Sequence, residues 1–243
     1  MRIFIDVGAH FGETTEMAAN PMYGFDQIIA IEPSTLGIKR INQIRYKNIC
    51  VFDHALGKFD GCTKLYSAGN LGASIFADKN NVPSYEIIKI REVSKFFKEL
   101  GIEKYSTSFL KLNCEGGEAD IIQNLYKNDI LNLFTHIYID LDILKIPSLE
   151  KRESEVRNYL NTFHGELIFA DQLQETGWLG VNALLASMLS PVPSSIFARY
   201  KYKFKLYLSF SGMVFRIVRL LVPKKLVILI KSFSKKKGNM LGS

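Results

Sequence analysis

Residues 6–15 read DVGAHFGETT. An apolar run ends at the carboxylate of Asp6, two glycines four apart follow, and a polar stretch then opens a helix. A strand-to-helix turn of this kind commonly holds phosphates. The dinucleotide fingerprint G-x-G-x-x-G needs its second glycine where the pyrophosphate approaches the backbone. Here His10 stands at that place and the next glycine is Gly12. The P-loop pattern with its lysine is missing too. What remains is a turn for a ligand without phosphates that carries a cationic or hydroxylated part.

Two carboxylates suit such a ligand. Asp6, at the end of the first strand, suits a cation. Glu32 ends the second apolar run, 24 residues past Gly8, about where an acid meets ribose hydroxyls in nucleotide-binding sheets. S-adenosyl-L-methionine combines an amino acid, a sulfonium, a ribose and an adenine, and is the cofactor these residues suggest. Each residue also has a purely structural reading: Asp6 caps the turn, Gly8 and Gly12 permit close packing, and His10 is a turn residue or pocket wall rather than a metal ligand.

A second group is LKLNCEGGEADII at 110–122. Strand alternation places Lys111, Asn113 and Glu115 on one side. Gly116 and Gly117 turn the chain, and Glu118 opens the next helix, where a negative charge is favourable. A Lys, an Asn and two Glu crowded beside the cofactor turn could do chemistry. Asp140 and Asp142, at the end of a later strand, lie near.

The elements that must position these residues are legible from periodicity. Residues 2–7, 27–32, 48–53, 108–114, 134–143 and 166–170 read as strands. Helices are expected at 12–20, from Ser34 to about Tyr46, at 91–100, after Gly117 and at 149–163. Alternating strands and helices predict a parallel sheet with helices on its faces, in the order 3-2-1-4-5. Residues 61–91 read as hairpins or an inserted loop region. The uncharged stretch 176–198 reads as core strand and loop.

DVGAHFGETT, IAIEPS at 30–35, ALG at 55–57 and LKLNCEGGE at 110–118 together resemble the FkbM family of S-adenosylmethionine-dependent methyltransferases. The resemblance runs over residues 2–142. It implies an α/β, class I methyltransferase fold: a Rossmann-like, doubly wound, mostly parallel seven-stranded sheet, here within a domain spanning 1–190. It implies methylation of hydroxyls, often on sugars. Asp6, Gly8 and Glu32 would line the cofactor, together with Ala9, His10, Gly12, Thr14, Pro33, Ser34, Asp53, His54, Ala55, Asn113 and Glu115. Asn113 stands where the family usually has Asp, and Asp140 where it usually has Glu. The candidate bases for taking the hydroxyl proton are Glu115, Asp140 and His10, with Lys111 orienting the carboxylates. Nothing in the spacing demands a metal.

Charge divides the chain. All 24 acids and 19 of the 31 Lys and Arg lie at or before Glu175, a net −5; the other 12 basic residues follow from Arg199. Residues 191–243 are therefore a basic tail. Its longest uncharged run, 206–215, is half of the about 20 residues a membrane span needs. As a helix, 212–222 sets Met213, Ile217, Leu220 and Leu221 on one face and Arg216 and Arg219 on another, the pattern of an interfacial membrane helix. The expected partners are a sugar or glycan acceptor and a membrane surface contacted through 199–237. Nucleic acid fits the apolar face less well, and the sequence leaves the oligomeric state open. Asp6 interrupts the N-terminal apolar run, so no secretory signal is expected. Three scattered cysteines suggest a reducing, cytoplasmic compartment. The rival readings are a nicotinamide-dependent oxidoreductase and a membrane-binding adaptor with a degenerate methyltransferase domain.

Overall fold

The computed structural model describes residues 1–79 and 83–172, and beyond them only Gly180, Val181 and Leu185. The expected seventh strand, the boundary at 190/191 and the basic tail lie outside the described residues.

Six strands form the central sheet: β1 (Arg2–Val7), β2 (Gln27–Ile31), β3 (Ile49–Phe52), β7 (Thr107–Leu112), β8 (His136–Ile139) and β9 (Glu166–Phe169). Their order is β3-β2-β1-β7-β8-β9, and every pairing is parallel. The expected order 3-2-1-4-5 is thus met, with β9 added at the edge. The helices between them are α1 (Glu13–Ala18), α2 (Thr35–Ile41), α3 (Val93–Leu100), α4 (Glu118–Lys127) and α5 (Glu153–Leu160).

The strands read as near-continuous apolar runs because both faces are covered. Ile3, Ile5, Leu110, Leu112, Ile137 and Ile139 join Phe96, Phe97, Ile121, Ile122, Val156 and Leu160 of α3–α5 in one core cluster. Residues between these in register point to the other face, where Ala30 packs with Ala9 and Ile41. Asp6 also falls on this face, opposite Ala30 on one side and Lys111 on the other.

Between residues 55 and 92 lies a second sheet, so of the two readings of 61–91 the hairpin is the one met. β4 (Ala55–Gly57), β6 (Tyr85–Glu92) and β5 (Gly61–Tyr66) lie in the order β4-β6-β5. β5 and β6 are antiparallel and joined by a long connection, residues 67–84.

Several ends differ from expectation. α2 stops at Ile41, where the Asn42 N–H closes back on the Arg40 and Ile38 carbonyls. The helix expected from 149 starts as a 3₁₀ run, Pro147–Arg152, and becomes α-helical at Glu153. β7 ends at Leu112, so Asn113 and Glu115 lie in a turn and strand alternation does not place them.

Candidate active site

The β1–α1 turn is built by close backbone approach. Gly8 has φ 75°. A Cβ there would run into the Asn113 carbonyl at the end of β7. The Gly8 and Ala9 N–H groups both donate to the Ile31 carbonyl, at 3.0 and 3.1 Å. That ties the turn to the end of β2. His10 is left-handed, φ 53°, which aims its N–H at Glu32 Oε2, 2.9 Å away.

Glu32 is the centre of this arrangement. Oε2 accepts from His10, and Oε1 accepts from the Ser34 N–H at 2.9 Å. Ser34 in turn caps α2, its Oγ accepting from the Gly37 N–H at 3.1 Å. Burial pushes the Glu32 carboxyl above the usual carboxylate range, although both amides favour the charged form. Each carboxylate oxygen keeps acceptor capacity beyond its one amide.

Asp6 and Lys111 do something other than expected. Asp6 is fully buried; its Oδ2 accepts from Thr15 Oγ1 at 2.8 Å, and its Oδ1 lies 2.8 Å from Lys111 Nζ. Lys111 also donates to the Gly8 carbonyl at 2.8 Å. The cation that Asp6 meets is this lysine, beneath the turn, and neither residue lines the cleft. Lys111 orients Asp6 and the turn, not Glu115 or Asp140.

The β7–α4 turn is self-clamped. Glu118 is fully buried and accepts from the Cys114 and Gly116 N–H groups at 2.5 and 2.8 Å. Burial raises both its carboxyl and the Cys114 thiol. Glu118 is therefore a structural residue of the turn. Glu115 takes the left-handed region, φ 58°, and its side chain pairs with Lys79.

These turns frame a cleft of about 810 Å³ measured to its open mouth. Of the residues expected to bind the cofactor, Gly8, His10, Glu32, Pro33, Ser34, His54, Ala55, Asn113 and Glu115 line it. Residues not foreseen complete the wall: Leu56, Leu65, Gly69–Ala73 and Ile75 from the second sheet and its connection. Besides Asp6, four expected residues lie elsewhere. Ala9 packs on Ala30 and Ile41. Gly12, φ 87°, sits against Ile41 and Ile44. Thr14 is buried in α1 away from the lining. Asp53 is exposed and bonded to Lys89 at 2.9 Å, because the chain turns outward between β3 and β4.

Asp140 faces a separate small hollow with Arg157, Phe169 and Asp171. Burial, and then the charge of Asp142, push its carboxyl above the usual range. Burial and Asp140 push the neighbouring Tyr138 phenol up to about 12. No group of three or more His, Cys, Asp or Glu that could hold a metal ion occurs among the described residues.

The cleft suits an adenosyl sulfonium cofactor on this chain's own chemistry. It has two carboxylates and, among the described residues, no Lys or Arg to meet a phosphate. His10 Nε2, His54 Nε2 and Asn113 Oδ1 are buried on lining residues without a partner, and a buried polar atom so placed calls for a ligand.

A parallel sheet in the order β3-β2-β1-β7-β8-β9, with helices between its strands, has the class I, Rossmann-like methyltransferase architecture. The sequence signature of the methyltransferase FkbM domain matches residues 6–165, and the chain belongs to that family. Among solved structures it is similar to the methyltransferase FkbM from Methylobacillus flagellatus KT, at 14% identity and a TM-score of 0.43. The likeness covers 67% of this chain, which spans only 37% of the length of that relative. No curated protein matches the chain.

Proposed function

We propose that this domain binds S-adenosylmethionine in the cleft and transfers its methyl group to an oxygen of a sugar hydroxyl, in a glycan or lipid-linked glycan at the cytoplasmic face of a membrane. The observation that carries the cofactor is the Glu32 carboxylate, pre-set by the His10 and Ser34 amides in a cleft whose described lining includes no Lys or Arg. Ribose hydroxyls would donate to its remaining lone pairs.

Held by Glu32 beside His10 and Ser34, the cofactor would supply an activated methyl, and its transfer to the acceptor oxygen would leave the hydroxyl proton for this chain to receive. The chain's task is to orient the partners, which alone can supply about 7–11 kcal/mol. It must also receive the proton. Asp140 is the candidate for that role if the acceptor reaches from the cleft to the separate hollow that Asp140 shares with Arg157 and Asp171; burial and then Asp142 raise its carboxyl. It stands at the end of β8, next to β7, on the side away from Glu32. Glu115 is paired with Lys79 and belongs to the cleft wall. His10 belongs to the Glu32 side.

Support for the membrane setting comes from the sequence: twelve basic residues from Arg199 onward, and Met213, Ile217, Leu220 and Leu221 at the spacing of an apolar helix face. The domain reading is tested by calorimetry with S-adenosylhomocysteine and with NAD. Binding of the first alone supports it. Glu32→Ala should weaken that binding about tenfold or more, the loss of charge-assisted hydrogen bonds. Binding of NAD instead, or unchanged affinity in a folded Glu32→Ala variant, would sink it.

A further inference from the structure

The connection between β5 and β6 is long for a compact domain, and its described residues 67–79 form no helix or strand, a feature that usually has a function. Its Gly69–Ala73 stretch and Ile75 form one wall of the cleft, and Leu71 at its crest is 85% exposed. The residues from Ser74 to Lys79 are anchored. Ser74, buried, donates from Oγ to the Glu115 carbonyl at 2.7 Å and accepts from the Phe76 N–H at 3.1 Å. Phe76 packs against the main core cluster. Asp78 accepts from the Ser148 N–H at 2.8 Å. Lys79 then inserts its ammonium between two acids: it pairs with Glu115 in the cleft wall and lies 3.2 Å from Asp142.

We propose that Lys79 is the latch of this cleft: it holds the β5–β6 connection against the β7–α4 turn and fixes the Glu115 carboxylate, as a positioning residue for the bound cofactor. The ligand half of this inference rests on the cofactor reading above; the latch itself does not. Lysine is rarely buried unless paired, and the Lys79 side chain is 7% exposed. Its two counter-ions differ. Asp142 is anchored to the frame, with Lys145 at 2.6 Å on its other oxygen. Glu115 belongs to the cleft. The ammonium therefore links a fixed acid to a wall acid across a connection whose described residues 67–79 hold, of regular structure, only the Tyr66–Ser74 bridge. Two acids and two lysines balance in charge. Without Lys79, Glu115 and Asp142 would face each other, with only Lys145 left beside them, on the far oxygen of Asp142. Glu115 would then leave the wall and the connection would lose its charged anchor.

Amide hydrogen exchange on the full chain, with calorimetry of S-adenosylhomocysteine, tests this. In Lys79→Met, peptides from 67–79 should exchange about tenfold faster or more without ligand, the mark of a lost local anchor. S-adenosylhomocysteine should bind about tenfold more weakly, as expected when the closed form is no longer the populated one. Lys79→Arg should restore both to within about threefold, since arginine keeps the charge and the reach. Glu115→Gln should itself speed exchange in 67–79, and adding Lys79→Met to it should cost no further affinity, because the two act as one pair. Should Lys79→Met not fold, the Glu115→Gln and Lys79→Arg arms carry the same comparison. Unchanged exchange and affinity in Lys79→Met would overturn the latch, as would additive losses in the double variant. If the wild-type chain does not bind S-adenosylhomocysteine, the cofactor reading falls and exchange alone decides the latch.

Discussion

Lys111 Nζ lies 2.8 Å from Asp6 Oδ1, between residues directly opposite one another on β7 and β1, and both side chains are buried. The same ammonium donates to the Gly8 carbonyl at 2.8 Å, so one charge holds both a strand pair and the turn that follows it. Removing one partner strands the other in the core. Asp6→Asn or Lys111→Met should each destabilise the domain by about 3–5 kcal/mol. A joint replacement by apolar residues should cost clearly less than either single change, since neither charge is then left alone. Chemical denaturation read by far-UV circular dichroism checks this; a single variant as stable as the parent contradicts the strut.

Gly37 should matter to ligand binding although it touches none. A Cβ there would lie 2.6 Å from Glu32 Cγ and 2.7 Å from both the His10 carbonyl and Ser34 Oγ. Alanine is the better helix residue by about 1 kcal/mol, so intrinsic propensity alone would make Gly37→Ala stabilising. The prediction is the opposite for function: the new methyl displaces Glu32, and S-adenosylhomocysteine affinity falls about tenfold, near 1.4 kcal/mol. Calorimetry on a variant that melts like the parent decides it. Full affinity would mean that Glu32 can shift and still serve.

How far the sequence carried is clearest at these residues. The strands of the central sheet were legible because IFIDV, IIAIE and FLKL are apolar runs that a sheet covered on both faces requires. Glu32 was legible because its distance from the glycine turn follows from the strand–helix–strand unit itself. Asp6 was not, because its partner is 105 residues away and nothing local announces which of two acids is walled in. Alternation failed at Asn113 and Glu115 because the strand stops one residue before them and Glu115 turns left-handed. Lys79 carried no signal: it lies in a connection without periodicity, and only the folded chain brings it to Glu115.

The acid limb of activity should report Asp140. Its carboxyl is raised, first by burial and then by Asp142. A base works ionised, so kcat/KM should rise with pH through that raised value, at higher pH than an ordinary aspartate would give. Asp140→Asn should keep S-adenosylhomocysteine affinity, lower turnover by ~10²–10⁴ and abolish that limb. Glu115→Gln should instead change affinity first, given its place in the cleft wall. A pH–rate profile with a methyl-accepting glycan distinguishes them. If Asp140→Asn turns over like the parent and Glu115→Gln loses the limb, the assignments must be exchanged.

The tail separates a membrane partner from nucleic acid. No described helix is long and apolar enough to cross a membrane. Both partners would attract the twelve positive charges from Arg199 onward, and salt sensitivity alone decides nothing. The apolar residues do. Lipid binding needs Met213, Ile217, Leu220 and Leu221 as well as the Lys and Arg, each basic residue contributing about 1 kcal/mol near an anionic leaflet. Nucleic-acid binding depends mainly on the charges. In flotation with anionic vesicles, the intact chain should rise with the lipid. A chain ending near Ala198 should stay behind and still bind S-adenosylhomocysteine. The double variant Ile217→Glu/Leu221→Glu should largely lose the vesicles while keeping every lysine and arginine. If the double variant floats like the parent and the shortened chain no longer folds, the tail belongs to the domain's own core and the membrane assignment is wrong.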